Sequence, residues 1–291
     1  MNILYIGSSG PLSYLPLQAL LQSPFANNII SIAVDEVAAT KLTAVNKRAA
    51  TLESLAFYNN IPLLKLKKNT ANNIAAISKL KADIILVSCY ARKLPIEIIS
   101  LAKTGCFNIH PSLLPKYRGP TPLFWQFREA ENIFGITLHR MTEKFDDGAI
   151  VAQQSINMPQ GISKQEASIL LAKIASKLVL NTLPILLQKK IKELKQNETE
   201  ASYQSFPQKK DYNVSISWTA QRIYNFICAN KRLGIIFSCD IDKKKYKLID
   251  ALSYQKSAYA GLNDGLYFIH QDVISFKCSE GYVQCVFERS V

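Results

Sequence analysis

Asn108 and His110 close an extended run, Phe107-Asn108-Ile109-His110, and a loop punctuated by Pro111, Pro115 and Gly119 follows at once. Residues two apart on a strand project to one face, so the carboxamide and the imidazole point the same way. An amide donor beside an imidazole at a strand end suits a carbonyl that becomes an oxyanion. A second segment, Gly135 to Met141 and on through Phe145-Asp146-Asp147-Gly148-Ala149, offers a carboxylate to complete the set. Asp146 and Asp147 are adjacent, so their side chains diverge, and Phe145 and Gly148 around them mark a tight turn that presents one of the two. Taken singly, Asn108 reads as a strand-end cap and His110 as a satisfied structural histidine. Their shared face, the loop after them and the acidic turn reverse that reading. His139, two residues after Thr137 on an apparent strand, reads as structural, and His270 as structural or exposed.

These residues need a frame. Residues 2–6 are a strand-like apolar run, followed by Gly7-Ser8-Ser9-Gly10-Pro11 and a helical pattern through Leu15, Leu17 and Leu21. Strands are expected at Ile29–Val34 and Ile84–Ser88, with helices at Thr51–Asn60 and Asn72–Leu80. Alternation of this kind predicts a parallel sheet covered by helices on both faces, an α/β Rossmann-like architecture whose ligands gather at the carboxyl ends of the strands. The Gly7–Gly10 turn is not Gly-x-Gly-x-x-Gly, and Pro11 removes a backbone donor, so it reads as a cleft-lining turn and not a dinucleotide cradle. Ser163-x-x-Glu166 is a capping box that opens a helix from Lys164 to about Leu180, and Pro184 then perturbs the helical pattern. Residues 189–206 are polar and charged and read as a linker. From 207 to 291, one helix (Ala220–Ala229) and about five short strands predict a small, OB-like β-barrel domain. The catalytic domain is thus expected over 1–188.

The chain of 291 residues has 48% hydrophobic content, ample for conventional cores. No run matches the roughly 18 to 20 apolar residues of a membrane span, and the N-terminus reads as a first strand, not a signal peptide. A cytoplasmic location is expected. Cys89, Cys106, Cys228, Cys239, Cys278 and Cys285 form no Cys-x-x-Cys pair and read as small buried hydrophobes. With three histidines in all, a metal site has little support. The net charge of +13 is spread out, with nineteen basic and eleven acidic residues up to 188 and sixteen and eleven after it. Small clusters (Lys65-Lys67-Lys68, Lys189-Lys190-Lys192 and Lys243-Lys244-Lys245-Lys247) fit solvated faces as well as they fit an RNA track.

Together, Asn108-x-His110-x-Ser112-Leu113-Leu114-Pro115-x-x-Arg118-Gly119, Gly135-x-Thr137 and Asp146-x-Gly148 resemble the folate-dependent formyltransferases. That group includes methionyl-tRNA formyltransferase, glycinamide ribonucleotide formyltransferase and the sugar-nucleotide N-formyltransferases. The resemblance covers residues 1–188 well and 205–291 weakly. It implies a Rossmann-like formyltransferase domain, in larger members followed by an OB-like one, and transfer of a formyl group from 10-formyltetrahydrofolate to a primary amine. By the same resemblance Asn108 would hydrogen-bond the formyl oxygen and His110 would stabilise the oxyanion. Asp146 would orient His110 and a water and help remove the amine proton. The pterin would lie against Arg92, Lys93 and Leu94 and against the turn of Thr142, Glu143, Lys144 and Phe145. Ser112, Leu113, Leu114 and Pro115 would form another wall.

The acceptor is read from other segments. The tRNA enzymes of the family carry a Pro/Gly/Arg/Lys-rich insertion soon after the second strand, whereas Val34 to Leu42 shows none. Gly135–Met141 and Gly148–Gln153 are instead similar to the formyltransferase domain that acts on UDP-4-amino-4-deoxy-arabinose. The expected acceptor is therefore an amino-sugar nucleotide or a similar small amine. A methionyl-tRNA acceptor is the alternative, and a catalytically silent folate-binding paralogue a further one. A hydrolase that releases formate has least support. Ile216-Ser217-Trp218 departs from the family's Ile-Asp-Trp, and Asn230 to Gly234 replaces its Pro-aromatic-Pro turn.

Overall fold

Ile3-Leu4-Tyr5-Ile6-Gly7 is buried at every position, as a strand covered on both faces requires. It is β1 of a computed structural model that describes residues 1–8, 10–36, 51–68, 70–90, 92–188, 192–232, 234–256 and 266–288. Ser9, Val37 to Leu42, and Lys189 and Lys190 lie outside the described residues.

After β1 come α1 (Pro11–Leu21), β2 (Ile29–Asp35), α2 (Leu52–Tyr58), β3 (Leu63–Leu66), α3 (Thr70–Leu80), β4 (Ile84–Ser88), α4 (Ile96–Ile99) and β5 (Gly105–His110). Then follow α5 (Pro122–Arg128), β6 (Ile133–Arg140), β7 (Ile150–Asn157) and α6 (Lys164–Leu187). Seven strands form one sheet in the order β3-β2-β1-β4-β5-β6-β7. The pairs from β3 through β5 are parallel, and β6 runs antiparallel to β5. The sheet is therefore Rossmann-like and mostly parallel, and the reversal at β6 departs from the all-parallel expectation. The strand order switches direction between β1 and β4, and the carboxyl ends there form the usual ligand crevice of such sheets. Ser13 and Ser8 tie the turn after β1 to the end of β4 through the Ser88 and Cys89 carbonyls. Gly7 is required there, because a Cβ would stand 2.6 Å from Ser13 Oγ and 3.0 Å from Ser88 O.

Contacts divide the chain into two units that interleave along the sequence. One holds Met1–Pro120, Phe134–Ile156 and Ser168–Tyr203, and the other Thr121–Ile133, Asn157–Ala167 and Gln204–Val291. In the second unit α7 (Ala220–Asn230) accompanies an antiparallel sheet of β8 (Phe237–Ile241), β9 (Lys244–Gln255), β10 (Tyr267–His270), β11 (Val273–Lys277) and β12 (Tyr282–Phe287). Its strand order is β10-β11-β12-β9-β8. Phe226 of α7 packs edge-on against Phe124 of α5 (5.4 Å between centroids) and Phe237 of β8 (5.6 Å).

The expected end of α6 at Leu180 is corrected: the helix continues through Pro184 to Leu187. Pro184 removes one backbone donor, but Leu183 and Leu186 are buried and extend the stripe begun by Ala167, Leu171 and Ala175. By length and composition Lys164–Leu186 would suffice to cross a bilayer, a point that a count of unbroken apolar runs overlooks; that apolar content here covers a core. The cysteines are free, five of them buried, and burial pushes the Cys239 and Cys278 thiols up to about 12.

Candidate active site

The reversed β6 lays its polar residues against those of β5. Asn108 pairs with His139 and His110 with Thr137, so four polar side chains share one face of the sheet at the carboxyl end of β5. His139, read from sequence as structural, thereby enters the cluster. Its Nε2 lies 3.2 Å from Asn108 Nδ2 and 3.4 Å from Asp146 Oδ1, while Nδ1 donates to the Arg140 carbonyl at 2.8 Å. Its sequence signal was the Thr137-x-His139 spacing, which acquires meaning only with the antiparallel register.

Asp146 supplies the carboxylate. Its backbone is left-handed (φ 54°), a conformation that costs a non-glycine residue about 1–2 kcal/mol. This turns the side chain toward the strands: Oδ1 is 3.6 Å from His110 Nδ1 and accepts from Asn108 Nδ2 at 3.3 Å. Oδ2 accepts the Gly119 N–H at 2.8 Å. Asp147 turns away and accepts from Thr142 Oγ1. Gly148 completes the turn because a Cβ there would stand 1.9 Å from the Arg140 carbonyl oxygen.

His110 is buried, and its Nε2 lies 2.8 Å from the Tyr117 carbonyl oxygen. A carbonyl only accepts, so Nε2 carries the proton and the lone pair of the neutral ring is on Nδ1, facing Asp146. Burial holds the imidazole below the usual histidine value against the pull of the Asp146 charge, with His139 adding to the burial effect. For Asp146 burial works toward protonation. The positive charge that His110 and His139 carry when protonated, together with the Gly119 N–H, outweighs it and holds the carboxyl well below the usual carboxylate range. The ensemble is a carboxylate and a neutral imidazole side by side with an amide donor. It can polarise a carbonyl and relay a proton.

The residues expected around a pterin divide by exposure. Phe145 is exposed, with Lys93 Nζ 5.7 Å from its ring centroid and the Tyr203 ring tilted against it at 6.4 Å. Glu143 and Lys144 are exposed beside it, and Thr142 Oγ1 accepts the Lys144 N–H at 3.1 Å. Arg92 is engaged elsewhere: its guanidinium donates to the Leu66 and Lys67 carbonyls and pairs with Asp35. Leu94 belongs to the core of the sheet. Ser112 is buried and donates to the Lys116 carbonyl, and Leu113 packs on Gly135. The Leu114–Pro115 peptide is cis. Leu114 is held on both sides, its N–H by Thr137 Oγ1 and its carbonyl by Gln153 Nε2.

The segment expected as a linker lies against this site. Leu194 exchanges both backbone hydrogen bonds with Ile150, Glu193 pairs with Arg140, and Ser202 Oγ accepts the Tyr117 N–H at 2.9 Å. Gln196 is buried there, its amide donating to the Asp146 and Gly148 carbonyls. A lone glutamine in a polar run carries no sequence signal of such a role.

A profile of the formyl transferase family matches residues 1–183. The polymyxin resistance protein ArnA of Wigglesworthia glossinidia brevipalpis, a bifunctional protein, is 36% identical over 240 residues, which are 80% of this chain and 35% of that protein. Methionyl-tRNA formyltransferase of Clostridioides difficile is 32% identical over 177 residues, 60% of this chain and 57% of that one. The chain thus aligns with about a third to just over half of these curated relatives. An N-formyltransferase from Helicobacter canadensis, solved with folinic acid and dTDP-3-aminofucose, superposes with a TM-score of 0.75 at 18% identity. It covers 99% of this chain and 100% of its own. The sugar 3N-formyltransferase WlaRD, solved with dTDP and 5-N-formyl-THF, gives 0.73 at 18% identity, covering 100% and 99%.

Proposed function

The chain belongs to the formyl transferase family, and on that premise we propose that it moves a formyl group from 10-formyltetrahydrofolate to the primary amine of an amino-sugar nucleotide or a similar small acceptor. The observation that carries this reading is the convergence of Asn108, His110 and Asp146 at the carboxyl end of β5. Folates bound in related structures support the donor. The likeness of Gly135–Met141 and Gly148–Gln153 to the amino-arabinose enzyme supports the acceptor. The same reading takes residues 207–291 as an OB-like unit and the enzyme as cytoplasmic.

The chemistry follows from the tautomer. As the amine nitrogen bonds to the formyl carbon, charge gathers on the formyl oxygen, and the Asn108 amide meets it by turning one N–H from its long contacts with Asp146 Oδ1 (3.3 Å) or His139 Nε2 (3.2 Å). His110 cannot serve as an oxyanion donor while neutral, since its one N–H is committed to Tyr117. It serves instead as proton acceptor. The amine proton passes by way of Asp146 to His110 Nδ1, and the imidazolium so formed is stabilised by the adjacent carboxylate. Collapse of the intermediate breaks the bond from carbon to N10, and the stored proton returns to N10 of the leaving tetrahydrofolate. Exposed Phe145 and Lys93 offer an aromatic face and a cation to the folate.

The test is donor turnover over a panel of dTDP- and UDP-linked amino sugars, with wild type and His110→Ala compared. Transfer to an amino sugar that His110→Ala loses is the expected result. Donor binding with no transfer to any amine would point to the silent paralogue. The tRNA reading rests on relatives named methionyl-tRNA formyltransferase and on the charge of +13. It requires tRNA binding that weakens steeply with salt, and flat or absent binding at low salt excludes it.

A further inference from the structure

Gln196 reaches none of the reacting side-chain atoms, yet its carboxamide is fully used. Nε2 donates to the carbonyl oxygens of Asp146 and Gly148, both at 2.7 Å. Oε1 accepts from the Arg118 guanidinium, at 3.1 Å from Nε and 2.8 Å from Nη2. Arg118 is buried and fixed at its far side by Glu198 through Nη1 (3.0 Å) and Nη2 (2.8 Å). Its neighbours in sequence, Tyr117 and Gly119, carry the carbonyl that sets the His110 tautomer and the N–H that holds Asp146 Oδ2. One carboxamide therefore joins the turn that presents the carboxylate to the loop that orients the imidazole. The turn needs such a hold, because Asp146 has a left-handed backbone that few residues adopt unaided.

We propose that Gln196, relayed by Arg118, is a positioning residue that sets the Asp146 carboxylate against His110 and so governs the rate of formyl transfer but not the binding of the donor. The proposal rests on the formyl-transfer reading of Asn108, His110 and Asp146. A donor and an acceptor at opposite ends of one amide are what the position requires. A glutamate keeps the acceptor for Arg118 but sets a carboxylate oxygen against two carbonyls. A methionine fills similar volume and supplies neither group.

The experiment combines steady-state formylation, binding of tetrahydrofolate, thermal melting and histidine-ring NMR on the full chain, for wild type, Gln196→Glu and Gln196→Met. With three histidines in the sequence, the His110 signal is assignable by its loss in His110→Ala. Both variants are expected to melt as folded proteins, to bind tetrahydrofolate within about threefold of wild type, and to lose about 10²-fold in kcat, the cost of an ångström of misplacement. The His110 titration midpoint should fall in Gln196→Met, since the Asp146 charge that lifts it is displaced, and should shift in Gln196→Glu, where the new carboxylate acts beside that displacement. A kcat within about twofold of wild type with an unmoved midpoint overturns the proposal. So does an equal loss in binding and turnover, which would mean general damage. If wild type transfers formyl to no amine, the reaction reading fails on its own, and the His110 midpoint still decides whether Gln196 positions Asp146. Should Gln196→Met fail to fold, Gln196→Glu, which keeps the Arg118 contact, decides alone.

Discussion

The Nε2 atom of His110 lies 2.8 Å from the carbonyl oxygen of Tyr117, seven residues along the chain. That contact decides which nitrogen holds the proton, and so decides that His110 meets Asp146 with a lone pair. On the function proposed above, it makes His110 a proton acceptor, where the resemblance implies an oxyanion donor.

Turnover should therefore depend on a neutral His110. Burial holds its folded-state value below the ordinary 6.5. Activity is expected to be flat through neutral pH and to decline on the acid side with a midpoint below that value, read from kcat/KM against pH. The linkage has the same sign for stability. The folded state binds the proton less readily than the unfolded one, so this contribution is complete above the unfolded value and is lost as pH falls through the folded one. An acid limb centred above 6.5 would count against the assignment.

Asp146→Asn keeps the shape of the turn and removes the charge facing His110. About 10²- to 10⁴-fold should be lost from kcat, the usual worth of one acid/base group. The His110 midpoint should drop with it, since the carboxylate raises it. Rapid-quench measurement of a single turnover separates this from slow product release.

Asn108→Ala removes the one amide assigned to the developing oxyanion. A fall of about 10² to 10³ in kcat is expected, with the donor KM little changed. An increase in KM at constant kcat would show that Asn108 serves ground-state binding alone.

Gly148→Ala tests the turn itself. The added methyl would meet the Arg140 carbonyl oxygen at 1.9 Å and its carbon at 2.8 Å, and that backbone group is not a flexible side-chain end that can yield. A loss of about 3 kcal/mol or more in urea-unfolding free energy is expected, at the upper end of overpacking costs.

In the second unit, Phe226→Ala should cost about 3–5 kcal/mol, because the ring is fully buried among Phe124, Trp218 and Phe237. Calorimetry would show it as a lowered Tm.

What the sequence displayed of the site was whatever lies close along the chain. Asn108-x-His110 shares a face because a strand repeats every two residues, and Asp146 and Asp147 diverge because they are adjacent. His139 was missed because its role depends on the direction of β6, a long-range property that no local spacing carries. Gln196 was missed because a buried glutamine in a polar run looks like a solvated one until its partners, fifty residues earlier, are in place. Most strands and helices were legible from apolar runs and from the Ser163–Glu166 capping box, in which Ser163 Oγ accepts the Glu166 N–H. The passage of α6 through Pro184 was not, since burial of Leu183 and Leu186 overrode a local helix breaker.

The interleaving of the two units has a consequence for inheritance. The backbone passes between them five times, and α5, with Phe124 at its centre, precedes most of the catalytic loops yet groups with the C-terminal sheet. A genetic crossover near residue 188 or 206 would carry off the strands of the second unit and strand its early pieces behind. The C-terminal part of this chain is therefore no portable cassette. Exchanging it between relatives should demand matched changes near residues 121–133 and 157–167, and chimaeras lacking them should misfold before any question of acceptor arises.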